Sequence, residues 1–135
     1  MKGKINDYKF KVALKQTVAE RYKYFVKRIV TKEEVWGLVN SEGEWSLEAE
    51  EGKTPVFHLW PDAEFAQYAR IGMFDKYSPT KVDLHEFMED WLPNMAEDGV
   101  KVGVFSLSFD ENSKVDAAKL LADIKAEEKI FFEKM

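Results

Sequence analysis

Three extended, apolar segments follow one another in the first half of the chain and constrain its fold more than any other feature. They are residues 35–39, 44–48 and 56–60, and the turn-forming residues Asn-Ser-Glu-Gly at 40–43 join the first two into a predicted hairpin. A fourth strand is predicted over 100–107. Helical patterns surround these strands. The sequence therefore predicts an α+β fold with a small antiparallel or mixed sheet of about four to five strands packed with about four helices.

Residue alternation predicts which side chains of these strands face the core. In the second segment it directs Trp45 and Leu47 inward and Ser46 and Glu48 toward water. The third segment is apolar on both faces except at His58, which predicts a central strand.

A helix is predicted from about Lys11 to Val30, because its apolar residues recur with the helical period. Residues 1–34 hold ten Lys/Arg and four Asp/Glu, a balance of +6, whereas the whole chain carries −5. One interpretation is a basic helix that lies against an acidic body. The other is contact with nucleic acid or an anionic membrane. The first is favoured, and nucleic acid is not expected as a partner, because an acidic chain repels phosphate.

Helix-capping and helix-breaking residues predict where other helices begin and end. Gly72 is expected to end a helix, and an aromatic-rich loop is expected from there to Pro79. Asp83 is placed to cap a helix that Pro93 ends or kinks. A last helix is predicted from about Asp116 to Lys134.

Composition sets the class of protein. A length of 135 residues with 19 large aromatic side chains predicts one globular domain over residues 1–135. The absence of cysteine excludes disulfides, thiolate nucleophiles and cysteine-bound metals, and it fits a reducing compartment. Residues 1–7 lack the apolar stretch of a leader peptide, and no apolar run is long enough to cross a membrane. We therefore expect a cytoplasmic protein that does not enter the membrane.

Several aromatic motifs resemble those of a bacterial family, domain of unknown function 2750, over roughly residues 21–105. The motifs are Arg21–Val26, Glu34–Leu38, Leu59–Pro61, Phe87–Pro93 and Asp98–Phe105. They are structural in character. The resemblance implies a small bacterial cytoplasmic protein and brings no agreed activity, cofactor or catalytic residue.

No motif for nucleotide binding or for a hydrolase nucleophile is present, so we assign no catalytic residue, metal or cofactor. His58 interrupts an apolar strand, either as a general base or as a histidine hydrogen-bonded within the core. Trp60, Phe74, Tyr77 and Trp91 fall at element ends or in loops. They would form a binding patch with an acidic rim or close the edges of the core.

Two functions of different kinds follow from these residues. The leading hypothesis is a non-enzymatic module that binds another protein through an aromatic and acidic surface, with toxin neutralisation as one specific form. The alternative is a small-ligand binder or enzyme that uses His58 with a nearby carboxylate, which requires a solvent-accessible His58. The oligomeric state is not predicted.

Overall fold

The computed structural model describes residues 7–69, 74–107 and 113–134. The expected helix stop at Gly72 and the expected absence of a leader in residues 1–6 lie outside this part of the chain. The described helices are α1 (Asp7–Lys15), α2 (Val18–Lys32), α3 (Ala63–Ala69), α4 (Leu84–Glu86), α5 (Leu92–Asp98) and α6 (Ala117–Glu133), with a π-helical turn at Phe87–Trp91 between α4 and α5. The strands are β1 (Glu34–Val39), β2 (Leu47–Glu48), β3 (Val56–Leu59), β4 (Ser78–Asp83), β5 (Lys101–Val104) and β6 (Lys114–Asp116).

The strands form two sheets, which confirms the α+β class. Strands β1 and β4 make an antiparallel pair, and a four-stranded sheet has the order β2-β3-β5-β6. Its central strands β3 and β5 are parallel, whereas both edge pairs are antiparallel. The sheet is therefore mixed and β3 is central, as predicted. The described strands number six rather than four to five, because the three-residue β6 has no apolar pattern of its own.

The predicted hairpin forms only next to its turn. Strand β1 pairs with β4 along its whole length, from Glu34 opposite Asp83 to Val39 opposite Ser78. On the other edge of β1, the Ser46 N–H donates to the Leu38 carbonyl at 2.8 Å and the Asn40 N–H donates to the Glu44 carbonyl at 2.9 Å, on either side of a bridge between Val39 and Trp45. The turn residues 40–43 therefore return the chain alongside β1 as predicted, but beyond Ser46 the segment leaves β1 and pairs with β3.

The predicted alternation around β2 is also wrong. Ser46 is buried, while Leu47 is 45% exposed. Trp45 bridges to β1, whereas Leu47 pairs with Phe57 of β3. The chain changes its hydrogen-bonding partner between these two residues, so a strict two-residue period does not extend across them.

The long helix predicted at Lys11–Val30 is two helices. Thr17 caps α2: its hydroxyl accepts a hydrogen bond from the Glu20 N–H at 3.0 Å, and the Glu20 carboxylate accepts one from the Thr17 N–H at 2.7 Å. This reciprocal capping box starts a new helix even though the apolar period continues across it.

The apolar face of α2 is part of the core, where Phe25, Val26, Ile29 and Val30 are buried. Asp62 accepts from Lys9 at 3.1 Å and from Arg28 at 2.9 Å. Contacts of this kind are what a basic segment against an acidic body predicts, and for the other cations the interpretation stays a prediction. Within the described residues, no helix has the length and apolar character needed to span a membrane.

The helix capped by Asp83 does not end at Pro93. Asp83 accepts a hydrogen bond from the Glu86 N–H at 3.2 Å, as predicted. Leu92 then donates to the Phe87 carbonyl across the π-helical turn. This wider turn precedes Pro93, which has no N–H to donate, and the helix continues to Asp98.

Replacing the cap of α2 should destabilise the protein. We expect Thr17→Ala to lower the free energy of unfolding by about 1 kcal/mol, because it leaves the Glu20 N–H without its acceptor. Urea denaturation followed by circular dichroism measures this change. Thr31→Ala is the matched control: Thr31 lies inside α2, is exposed, and bonds only the Lys27 carbonyl. A loss at Thr17 no larger than the loss at Thr31 would contradict the capping argument.

Candidate functional site

The carboxyl ends of the parallel strands β3 and β5 hold a buried histidine. His58 of β3 lies beside Gly103 of β5. A Cβ atom at position 103 would lie 2.4 Å from His58 Nδ1 and 3.1 Å from Val56 Cγ1. The imidazole therefore occupies the space that a side chain on β5 would fill, and only glycine permits this packing.

Four polar side chains form a continuous hydrogen-bond chain through this ring. His58 Nε2 lies 2.7 Å from Glu48 Oε1, and His58 Nδ1 lies 3.3 Å from Ser106 Oγ. Ser106 Oγ in turn lies 2.6 Å from Ser113 Oγ. His58 is 2% exposed and both serines are buried, whereas the Glu48 side chain is 28% exposed. We call Glu48, His58, Ser106 and Ser113 the polar chain.

Burial decides the charge of His58. Desolvation lowers the pKa of His58 below its ordinary value near 6.5, the nearby Lys114 lowers it further, and the hydrogen bond and charge of Glu48 oppose the shift. The ring is therefore neutral at neutral pH, with one nitrogen that donates and one that accepts.

A strained residue places Ser106 at the end of β5. Phe105 has a φ angle of 53°, a left-handed conformation that bulky side chains rarely adopt. Its ring packs against Phe65 at 4.6 Å, and its N–H donates to the Leu59 carbonyl at 2.8 Å. The indole of Trp60 donates to the Ser106 carbonyl at 2.8 Å. Ser106 is thus fixed by its backbone as well as by its hydroxyl.

Four of the five residues predicted as a binding surface come together, but in the core. Trp60 is fully buried and Phe74 is 3% exposed, so of the two interpretations of these residues both follow the one that closes the core. The His58 ring lies 6.3 Å from Trp60 and 6.1 Å from Phe74, and Phe74 lies 5.1 Å from Tyr77, which is partly buried. Trp60 is enclosed because its backbone bridges to Trp36 of β1. These aromatics close the interior around His58.

Trp91 lies in a different aromatic cluster. It sits in the π-helical turn and makes edge contacts with Trp45 at 4.8 Å and Phe57 at 5.3 Å. The other face of the four-stranded sheet carries this cluster, since Phe57 and His58 are neighbours on β3 and point to opposite sides. The structure therefore does not combine Trp91 with Trp60 and Phe74 in one patch.

A groove with a volume of about 810 Å³ lies between α2 and α6. Val26 of α2, Val104 of β5 and Val115 of β6 line its floor together with Ser113. Ser113 therefore joins the groove to the polar chain, so hydrogen bonds connect the groove floor to Glu48 on β2.

A polar bridge between α2 and α6 forms part of the groove lining. The Tyr22 hydroxyl of α2 donates to Asp123 of α6 at 2.5 Å, and Lys119 donates to the same carboxylate oxygen at 2.7 Å. Burial and the adjacent Asp123 raise the pKa of Tyr22, so its hydroxyl keeps its proton. Hydrogen bonds from Lys119 and Tyr22 lower the pKa of Asp123. The bridge fixes the distance between the two helices.

Sequence reasoning missed the polar partners of His58 and all of the groove. Only Glu48 carried a signal, as a carboxylate on a strand near His58. Ser106 and Ser113 belong to no motif, and their proximity depends on the parallel pairing of β3 with β5. The described residues contain no group of His, Cys, Asp and Glu that could hold a metal ion.

His58 should make stability depend on pH. The unfolded chain takes up a proton below about pH 6.5, whereas the folded chain keeps His58 neutral to lower pH. The free energy of unfolding therefore falls as the pH drops below 6.5, by at most about 1.4 kcal/mol per pH unit from this group. Urea denaturation between pH 7.5 and 5 should show a smaller slope in His58→Gln than in the wild type.

His85 provides the matched control, since it is the chain's other histidine and its side chain is exposed. His85→Gln should retain the wild-type slope. If His58→Gln does not fold, NMR titration of the wild-type ring measures the same quantity, and a His58 pKa at or above 6.5 would contradict the argument.

A family model described as a protein of unknown function (DUF2750) matches residues 22–124. The matched region contains every described strand, the whole polar chain and most of the groove floor, and the match confirms the resemblance in the sequence motifs. No curated protein matches the chain. The protein belongs to the DUF2750 family.

Proposed function

We propose that this protein is a non-enzymatic interaction module that binds an amphipathic helix of another protein in the groove between α2 and α6. The groove itself is the observation that carries the proposal. Its volume of about 810 Å³ is within the range of binding sites, and valine and alanine side chains from both helices and two strands line it.

The dimensions of the groove suit a helix. Its lining extends from Val18 to Lys27 on α2 and from Lys119 to Ile130 on α6. At 1.5 Å per residue these spans are about 14 and 16 Å long, close to three helical turns. A helix of that length presents apolar anchors at positions i, i+3, i+4 and i+7, which is the usual form of helix-in-groove recognition.

Charge on the rim specifies the partner further. Lys23 and Lys27 lie four residues apart on the same side of α2, both are exposed, and neither forms an ion pair with a described residue. Lys119, in contrast, pairs with Asp123. An occupant with acidic residues along one flank would place them against Lys23 and Lys27 while its apolar face fills the floor.

The openness of the groove favours a protein over a small amphiphile. Ile130 stands at one end of the lining and remains 45% exposed. A short ligand on the floor would leave this side chain in water, whereas a helix along the groove covers it.

The two hypotheses from the sequence bear on this proposal in different ways. A protein partner is still proposed, but it binds in the groove and not at the predicted aromatic surface, because Trp60 and Phe74 are buried. His58 pairs with a carboxylate, as the alternative hypothesis requires. The enclosure of His58 prevents its contact with a substrate in this conformation, and this supports binding rather than catalysis.

A bacterial, cytoplasmic setting is part of the same proposal. The absence of cysteine and the net charge of −5 support it. Toxin neutralisation is one specific form of the function, in which the bound helix belongs to a toxin.

Photocrosslinking in the cells that naturally produce the protein tests the proposal. Ala126, which lines the groove, is replaced by the photoreactive p-benzoyl-L-phenylalanine, and mass spectrometry identifies the crosslinked segment. We expect a protein segment with an apolar helical face and acidic residues on one flank. Adding Lys23→Glu and Lys27→Glu should weaken the complex about tenfold, since two favourable charge pairs become repulsive.

The same photoreactive residue at Ala96, exposed on α5 and outside the groove, is the matched control. Crosslinking of the same partner with equal yield at Ala96 would contradict a groove-specific complex. Adducts of lipid or metabolite at Ala126, or no adduct there, would refute the proposed helical partner.

A further inference from the structure

The polar chain permits only one arrangement of its protons when His58 is neutral. The Glu48 carboxylate accepts hydrogen bonds only, so His58 Nε2 carries the proton that reaches it. Nδ1 then has no proton and must accept from the Ser106 hydroxyl. With that proton committed, Ser106 Oγ accepts from Ser113, whose own proton points away from the groove.

We infer that Ser113 presents an acceptor to the groove, and that it selects an occupant which places a neutral hydrogen-bond donor, such as an indole or amide N–H, against the groove floor. This inference rests on the proposed function, because it names the chemistry of the contact in the same groove. Glu48 acts as a positioning residue: through His58 and Ser106 it sets the direction in which the Ser113 hydroxyl donates its proton.

The surroundings of His58 support the neutral ring. Glu48 approaches it from β2 and Lys114 acts on it from β6, while the rings of Trp60 and Phe74 lie near its remaining surface. A proton added at Nδ1 would reverse the chain: Nδ1 would donate to Ser106, Ser106 to Ser113, and Ser113 would turn its proton toward the groove. The groove floor would then favour an occupant that presents a hydrogen-bond acceptor instead of a donor.

A matched pair of probes isolates this contact. Indole and benzofuran have nearly the same shape, but indole carries an N–H where benzofuran carries an ether oxygen. Each is titrated at pH 7.5 into the nitrogen-15-labelled full chain while the amide signals of Val104, Val115 and Ala126 are followed by NMR. We expect indole to bind about two- to tenfold more tightly than benzofuran, which is the range for one net hydrogen bond.

Two serine variants test the assignment to Ser113. Ser113→Ala should abolish the preference for indole while both probes still shift the groove signals. Ser46→Ala is the matched control, because Ser46 is equally a buried serine but does not line the groove, and it should retain the preference.

The outcomes separate the inference from the proposed function. Equal binding of the two probes in the wild type, or a preference that survives Ser113→Ala, would overturn the inference and leave the groove proposal intact. If neither probe shifts the groove signals at millimolar concentration, the inference and the binding role of the groove both fail.

Discussion

The pairing of His58 with Glu48 is the interaction around which the interior of this protein is arranged. A buried imidazole is costly unless its polar atoms are hydrogen-bonded, and here Glu48 and Ser106 satisfy both nitrogens. Two backbone features make this possible. Gly103 gives the ring its space on the neighbouring strand, and the left-handed Phe105 brings Ser106 to the end of β5.

The same strand β5 connects this interior to the groove. Val104 contributes to the groove floor, while its N–H donates to the Ser113 carbonyl at 3.0 Å. Helices α2 and α6 pack over this region, and the Tyr22–Asp123 hydrogen bond holds them together. The result is a surface with apolar walls, cationic residues on one rim and a hydrogen-bonding serine on the floor. Fixed geometry of this kind suits recognition of a preformed helix, because little side-chain ordering remains to be done on binding.

Local chemistry made some of the structure predictable and left the rest undetermined. The apolar run around His58 predicted a central strand, and Asp83 predicted a helix cap, because each signal is carried by neighbouring residues. The pairing of β1 with β4 could not be predicted, since a turn of good composition at 40–43 says nothing about the opposite edge of β1 or about a segment almost forty residues later. The site was partly predictable: His58, Trp60, Phe74 and Tyr77 do adjoin one another, but burial depends on the packing of two sheets. Ser106 and Ser113 carry no pattern at all, and only parallel pairing of β3 with β5 brings them to His58.

Nitrogen-15 NMR of the His58 ring in the full chain at pH 7.5 tests the central claim most directly, because the two ring nitrogens report separately whether each carries a proton. We expect a neutral imidazole with its proton on Nε2, facing Glu48, and an unprotonated Nδ1 that accepts from Ser106. A proton on Nδ1, alone or together with one on Nε2, would contradict the direction of the polar chain and therefore the acceptor that Ser113 presents to the groove.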